Sequence, residues 1–136
     1  GFRSEAYLDE ANVATIGYGT TRYSESEPVA IGDVVTELEA DELLAKDLQW
    51  AQDAINNLVD SELEQHQFDA LVVFVYNVGK GAFSSSTILR KLNDPYSLAV
   101  EDEFQRWVWA GGQISLGLIN RRIKERDLFL GRNIVG

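Results

Sequence analysis

The sequence predicts an α+β fold: a small β-rich lobe joined by one long helix to a mainly helical lobe. Three observations predict it. Residues 1–35 are rich in strand-forming and turn-forming side chains and show no helical period. At Thr36 the apolar spacing switches to three and four residues and persists beyond residue 55. The remainder of the chain repeats that helical spacing in shorter pieces.

Within the first region, Tyr7, Val13, Thr15, Ile16 and Tyr18 favour strands, with Gly17 and Gly19 as turn residues. Thr20 to Pro28 is polar and reads as an exposed loop. Gly32-Asp33 between the apolar runs of Val29–Val35 reads as a second hairpin. Thr36-x-x-Glu39 is a capping box, and Leu44, Leu48, Ala51, Ile55 and Leu58 then place a helix over 37–59. A further box, Ser61-x-x-Glu64, is expected to open a core helix through Phe68, Leu71, Val72 and Val75 that ends at Gly79 and Gly81. Three more helices are predicted: one from the Ser84-Ser85-Ser86 caps to Leu92, one over 97–109, and one over 116–131 closed by Gly131. The length of 136 residues suits one domain, 1–136, divided into a β-rich lobe (1–35) and the helical remainder (36–136).

Composition excludes several classes. With 45% hydrophobic residues and three Trp, five Tyr and six Phe, the chain has the material for a packed core. No apolar run is long enough to span a bilayer, so no membrane segment is expected. Cysteine is absent and His66 is the only histidine, which argues against a thiolate or His-based metal site. The net charge of −10 is uneven: residues 1–65 carry 15 acids and 3 bases, residues 66–136 carry 7 acids and 9 bases. Such acidity disfavours nucleic acid, whose binding needs clustered cations. The one cationic cluster, Arg121, Arg122, Lys124, Arg126 and Arg132, reads as a solvated helix face. The strong acidity suggests operation at high ionic strength, where the Debye length shrinks to about 3 Å at 1 M salt.

The residues with chemical potential lie near the N-terminus. A carboxylate (Asp9) and a hydroxyl (Thr15) on neighbouring strands can hold a water between them, the first as general base and the second as its orienter. Inverting glycoside hydrolysis needs such a base opposite a carboxylic acid. By themselves, Asp and Thr in this context are more often turn and strand residues than catalytic ones.

The wider pattern decides between these. Gly1-Phe-Arg-x-x-Ala-Tyr-x-Asp9-x5-Thr15-Ile-Gly-Tyr-Gly19 resembles the catalytic region of the phage-type lysozymes (endolysins) of glycoside hydrolase family 24. Matching segments follow in order: 36–48, Gln67–Gly79, Ser86–Asn93, Arg106–Gly112, and Gly117-Leu-Ile-Asn-Arg-Arg-x-x-Glu125. The resemblance implies a lysozyme-like fold with a substrate cleft between the lobes. It implies a peptidoglycan hydrolase that cleaves the β-1,4 bond between N-acetylmuramic acid and N-acetylglucosamine in cell-wall lysis. Such a protein is made in the host cytoplasm, acts at the bacterial wall or periplasm, and is expected to be a monomer without cofactor or metal. Asp9 is implied as base or electrostatic stabiliser, Thr15 as the water-positioning hydroxyl, and Arg121 as the arginine paired with the acid. Gly17, Tyr18 and Gly19 would shape the substrate-binding floor.

Other positions favour structural readings: Asn77, Val78 and Gly79 as core helix and cap, Trp107 and Trp109 as core aromatics on a helix, and His66 as an exposed helix residue. The family commonly carries His where this chain has Thr20. The family pattern Glu-x8-Asp-x5-Thr places its acid immediately before Gly1, so the chain as written is expected to lack that Glu and a preceding helix, and to be impaired. Glu5 is not expected to substitute. The alternatives are a non-catalytic peptidoglycan-binding lysozyme-like module and an inert scaffold of the same fold.

Overall fold

The computed structural model describes residues 1–132. The chain forms two compact units, Gly1–Gln49 and Trp50–Gly136. The first holds β1 (Arg3–Leu8), β2 (Ala14–Gly17), β3 (Arg22–Ser24), β4 (Glu27–Pro28) and the start of α1 (Glu37–Leu58). The second holds the rest of α1, then α2 (Gln65–Val78), α3 (Lys80–Ser84), α4 (Thr87–Leu92), a 3₁₀ helix (Val100–Arg106), β5 (Trp109–Ala110), β6 (Gln113–Ile114) and α5 (Leu116–Phe129). Among the described residues, no helix is long and apolar enough to cross a membrane.

In the first unit, β1 and β2 pair antiparallel with Tyr7 opposite Thr15 and Leu8 opposite Ala14. The 33–35 segment flanks β1 on its other side: Val35 N–H donates to Ser4 and Ala6 N–H to Asp33. Ile16, Val29, Val35 and Ala40 are buried together, with Phe2, Ala6, Tyr18, Tyr23 and Leu43 packed around them. The polar 20–28 stretch is a hairpin, β3 against β4, rather than a plain loop. Conversely, Val29–Val35 is not a hairpin; Asp33 folds its carboxylate onto Ala30 N–H and the Tyr23 hydroxyl, both at 2.9 Å, and closes a turn instead.

The capping box of α1 forms as its sequence specifies. Glu39 N–H donates to Thr36 Oγ at 3.1 Å, and Thr36 N–H to Glu39 Oε1 at 3.0 Å, which satisfies two donors left over at the helix start. The second box shifts by three residues. Glu64 N–H donates to Gln67 Oε1 at 2.9 Å and α2 begins at Gln65, so Glu64 and not Ser61 opens it. Gly79 ends α2 with φ +95°, whereas Gly81 lies inside α3.

The second unit packs around Phe74 of α2. Its ring meets Phe104 at 5.2 Å, Trp107 at 5.6 Å and Phe83 at 6.4 Å, all edge to face. Each such buried ring contributes roughly 1.5–3 kcal/mol of burial plus a smaller ring–ring contribution. Ser86 caps α4 and Ser115 caps α5, each accepting a backbone N–H at 3.1 Å. The expected helix over 97–109 is a shorter 3₁₀ helix followed by the β5–β6 hairpin, whose two-residue turn Gly111-Gly112 has φ +58° and +80°. Positive φ at both positions is what a type I′ hairpin turn requires, and a helix cannot continue through it. The tryptophans are therefore not on a helix: Trp107 packs on Phe74, but Trp109 is 61% exposed on β5. α5 stops at Phe129, with Gly131 just beyond it in a left-handed conformation.

Candidate active site

The turn between β1 and β2 is built by Asp9. Its Oδ1 accepts the N–H groups of Ala11 (2.8 Å) and Val13 (2.9 Å). The backbone closes around it, with Asn12 N–H donating to Asp9 C=O and Asp9 N–H to Val13 C=O. Asn12 sits at φ +61°, a left-handed position that Asn tolerates better than most residues. Asp9 is half-buried, and among the described residues its Oδ2 has no hydrogen-bond partner.

Thr15, opposite Tyr7, is 4% exposed, and its hydroxyl donates to Val13 C=O at 2.9 Å. Asp9 and Thr15 thus share one hairpin and one anchoring residue. The Thr15 proton is committed to the backbone, so its oxygen remains available only as an acceptor.

Gly17, Tyr18 and Gly19 follow on the same hairpin. Gly17 has φ +66°, and a Cβ there would stand 3.0 Å from Ala40 Cβ. The missing side chain lets β2 lie against α1, a packing reason distinct from the expected close approach to substrate. Tyr18 is half-buried against Phe2, and its hydroxyl reaches Glu37 at 3.4 Å. Partial burial, reinforced by Asp41 and Glu37, raises its phenol pKa. Thr20, where a His is common in the resembling family, is 1% exposed and donates to Asp47 of α1 at 2.9 Å. Glu5 is exposed, its backbone bridging to Val34.

Arg121 belongs to the second unit and is exposed on α5. Its neighbour departs from the expected solvated face. Arg122 is 0% exposed, with Nε 2.9 Å from Glu125 Oε1 and Nη2 3.2 Å from Glu125 Oε2. Nη2 also donates to Asn77 Oδ1 at 2.7 Å, and the guanidinium lies over the Phe74 ring at 5.1 Å. Burial drives the Glu125 carboxyl up to about 7, against the opposing pull of Arg122. Asn77 is exposed rather than part of the core.

His66 is half-buried, not an exposed helix residue. Its Nδ1 faces the Leu128 and Phe129 carbonyls at 3.2 and 3.0 Å, its Nε2 faces Glu64, and a Cβ on Gly131 would press on the ring. The Glu64 carboxylate, ahead of the two carbonyls, raises its pKa. Among the described residues, no three His, Cys, Asp or Glu side chains are grouped to hold a metal ion.

The phage lysozyme family model matches residues 1–125, which include the Asp9–Thr15 hairpin and the Arg122–Glu125 pair. The chain belongs to the phage lysozyme family. With that membership it is a glycoside hydrolase of the lysozyme class. It is 44% identical over 130 residues to the endolysin of Salmonella phage P22, covering 96% of this chain and 88% of that protein. It is 43% identical over 115 residues to the endolysin of Bacillus phage PZA, covering 85% of this chain but 43% of that longer protein. Among solved structures, the endolysin from Escherichia coli O157:H7 phage FAHEc1 aligns with a TM-score of 0.77 at 35% identity, over 96% of this chain and 84% of that one. The phage lysozyme architecture, a small antiparallel strand lobe and a mainly helical part, is the one the sequence predicts. Two features of this lysozyme escaped the sequence reading, the Arg122–Glu125–Asn77 network and the His66 clamp. The i,i+3 spacing of Arg122 and Glu125 was the only sequence signal for either.

Proposed function

We propose that the chain is the muramidase part of an endolysin, acting at the bacterial wall on the β-1,4 bond between N-acetylmuramic acid and N-acetylglucosamine. It acts within residues 1–136 as one lysozyme domain. The observation that carries this reading is the Asp9 turn, in a chain whose family match begins at residue 1. One carboxylate oxygen is pinned by two backbone N–H groups while the other is unpartnered among the described residues. A carboxylate held this way cannot rotate away, and its free oxygen is placed to take a proton from water.

In the proposed reaction, Thr15 Oγ accepts a hydrogen bond from that water and fixes its approach. Water adds to the anomeric carbon as the glycosidic bond breaks, Asp9 takes the water's proton, and a carboxylic acid protonates the leaving oxygen. By resemblance that acid is a Glu directly before Gly1, and Arg121 is the cation that holds it. Tyr18 and the glycines on either side line the sugar site. General acid catalysis contributes typically about 10²–10⁴-fold, so the reaction depends on that Glu.

The test is turnover of a peptidoglycan suspension by the chain with Glu directly before Gly1. Clearing with release of muropeptides bearing new reducing ends is expected. A folded protein that binds peptidoglycan without clearing it would instead mark a binding module and overturn the catalytic assignment.

A further inference from the structure

Trp109 presents a bare indole to solvent. Among the described residues its ring meets no other ring and its Nε1–H has no acceptor. An indole is one of the largest apolar surfaces a side chain carries, and folding ordinarily covers most of it. Here the core place is already filled by Trp107, which lies against Phe74 while its backbone N–H donates to Phe104 C=O at 3.1 Å. Ile114 stands directly across the hairpin from Trp109 and is exposed with it, and Leu116 follows at the start of α5, more exposed than either. The base of the hairpin is pinned: Ser115 N–H donates to Val108 C=O at 2.8 Å, and Ser115 Oγ caps α5. The apolar strip is therefore held outward by the fold.

The charge around it is unlike that of the rest of the chain. From Phe104 to Lys124 there is no Asp or Glu, whereas Arg106, Arg121, Arg122 and Lys124 all fall there, in a chain of net charge −10. Arg122 is buried against Glu125, and Arg106 is held by Glu103 at 2.6 Å. Arg121 and Lys124 are exposed on α5, three residues apart and so on one helix face. Arg121, the cation of the proposed reaction, lies about 7.5 Å beyond Leu116 along the helix axis. An apolar ring face beside exposed cations matches a ligand with apolar faces and anionic substituents. A glycan bearing muramoyl peptides is such a ligand: its pyranose rings offer C–H faces, and its lactyl-peptide arms end in carboxylates. An anionic bilayer shares the charge, but lying in one takes a broad amphipathic helix face, and three side chains around a hairpin do not supply it.

We propose that Trp109, flanked by Ile114 and Leu116, is a stacking platform for a sugar ring of the anionic glycan, away from the bond that is cleaved. The inference rests on the muramidase reading and deepens it by giving the second unit a binding surface of its own for the polymer. The negative indole face takes the polarised C–H groups of the ring, and Nε1–H is left to donate to a sugar oxygen. Arg121 and Lys124 supply the attraction to the peptide carboxylates. A platform fixed by the hairpin loses little side-chain freedom on binding.

The experiment follows the indole N–H resonance of Trp109 in ¹⁵N-labelled chain, assigned by its loss in Trp109→Leu and, as a second variant, Trp109→Tyr. Soluble uncrosslinked glycan strands carrying muramoyl peptides are titrated in, with a neutral β-1,4-linked N-acetylglucosamine oligomer and phosphatidylglycerol vesicles in parallel. The strands should shift the Trp109 resonance saturably and bind more tightly than the neutral oligomer, by a margin that shrinks as salt is added. Trp109→Leu should keep the melting temperature and weaken strand binding about tenfold, with Trp109→Tyr between it and the parent. An unmoved Trp109 resonance during saturable strand binding, or full affinity in Trp109→Leu, would overturn the assignment. So would a response to vesicles but not to strands, which would mark a membrane contact. Peptidoglycan clearing by the parent chain carrying Glu before Gly1 is measured alongside. Clearing with an unresponsive Trp109 sinks this inference alone, whereas absence of clearing sinks the muramidase reading.

Discussion

Asp9 and Thr15 are fixed by the same residue: Val13 donates its N–H to Asp9 Oδ1 and accepts the Thr15 hydroxyl on its C=O, each at 2.9 Å. The turn that shapes the hairpin is therefore the element that sets the two groups relative to each other. The structural role of Asp9 and the catalytic role proposed for it can be separated because they use different oxygens and different charge states.

Asp9→Asn keeps an oxygen able to accept both turn N–H groups but loses the charge and the basicity. It is expected to fold with a nearly unchanged melting temperature. Turnover of peptidoglycan by the chain with Glu before Gly1 should fall by about 10²-fold or more. Asp9→Ala loses the turn as well and should be less stable by about 1–2 kcal/mol. Equal turnover in Asp9→Asn and the parent would rule Asp9 out as the base.

Gly17 is a packing position of β2 against α1. In Gly17→Ala the left-handed φ costs about 1 kcal/mol, and the 3.0 Å approach to Ala40 adds to it. A loss of about 1–3 kcal/mol in chemical denaturation is expected. Adding Ala40→Gly should relieve the contact and leave the backbone strain. If Gly17→Ala is as stable as the parent, the close packing of β2 on α1 is not what retains this glycine.

Stability falls as pH rises from the acid range. Burial raises Glu125 from 4.5 to about 7, and the Glu64 carboxylate raises His66 above 6.5. In both cases the folded state holds its proton more tightly than the unfolded chain. Their contributions are fully present below the unfolded pKa and are lost as pH rises through the folded one. Glu125 acts between about 4.5 and 7, and His66 from 6.5 upward. The melting temperature should accordingly fall from pH 5 to pH 8. Glu125→Gln should flatten the acidic part of that slope, and His66→Gln the neutral part. A melting temperature that climbs steadily over this range would contradict both assignments.

The sequence discloses elements whose signal is local and hides those whose signal depends on the partner. Thr36 and Glu39 mark the start of α1 because the capping box is complete within four residues. The Asp9–Thr15 spacing is equally legible through its family resemblance. The β3–β4 hairpin leaves no such signal, because Arg22, Ser24 and Glu27 face solvent and strands of this kind show no apolar alternation. The apolar spacing before Gly111 suggests a helix over 97–109, but Trp109 pairs across the Gly111-Gly112 turn as part of β5, a partner that lies outside the helical pattern. Arg122 could not be placed inside, since a cation in a cationic run reads as surface until Glu125, Asn77 and Phe74 are seen to close around it.

The departure at Thr20 gives the last prediction. Its buried hydroxyl ties the β2–β3 connection to α1 through Asp47 at 2.9 Å, a neutral donor to a carboxylate. Thr20→Val preserves shape but leaves the carboxylate without that donor, and should lose about 1–2 kcal/mol. Thr20→His would place an imidazole where the family commonly has one, beside the same carboxylate. An adjacent anion favours the protonated ring and raises its folded pKa above about 6.5. The added stability should be present below that value and disappear as pH rises through the raised one, so the variant gains a pH dependence that the parent lacks at this site. Measuring melting temperatures of Thr20→His in the parent and in an Asp47→Asn background isolates the pair. The gain at pH 5 relative to pH 8 should vanish when Asp47 is neutral; if it survives, the carboxylate facing residue 20 is not its source.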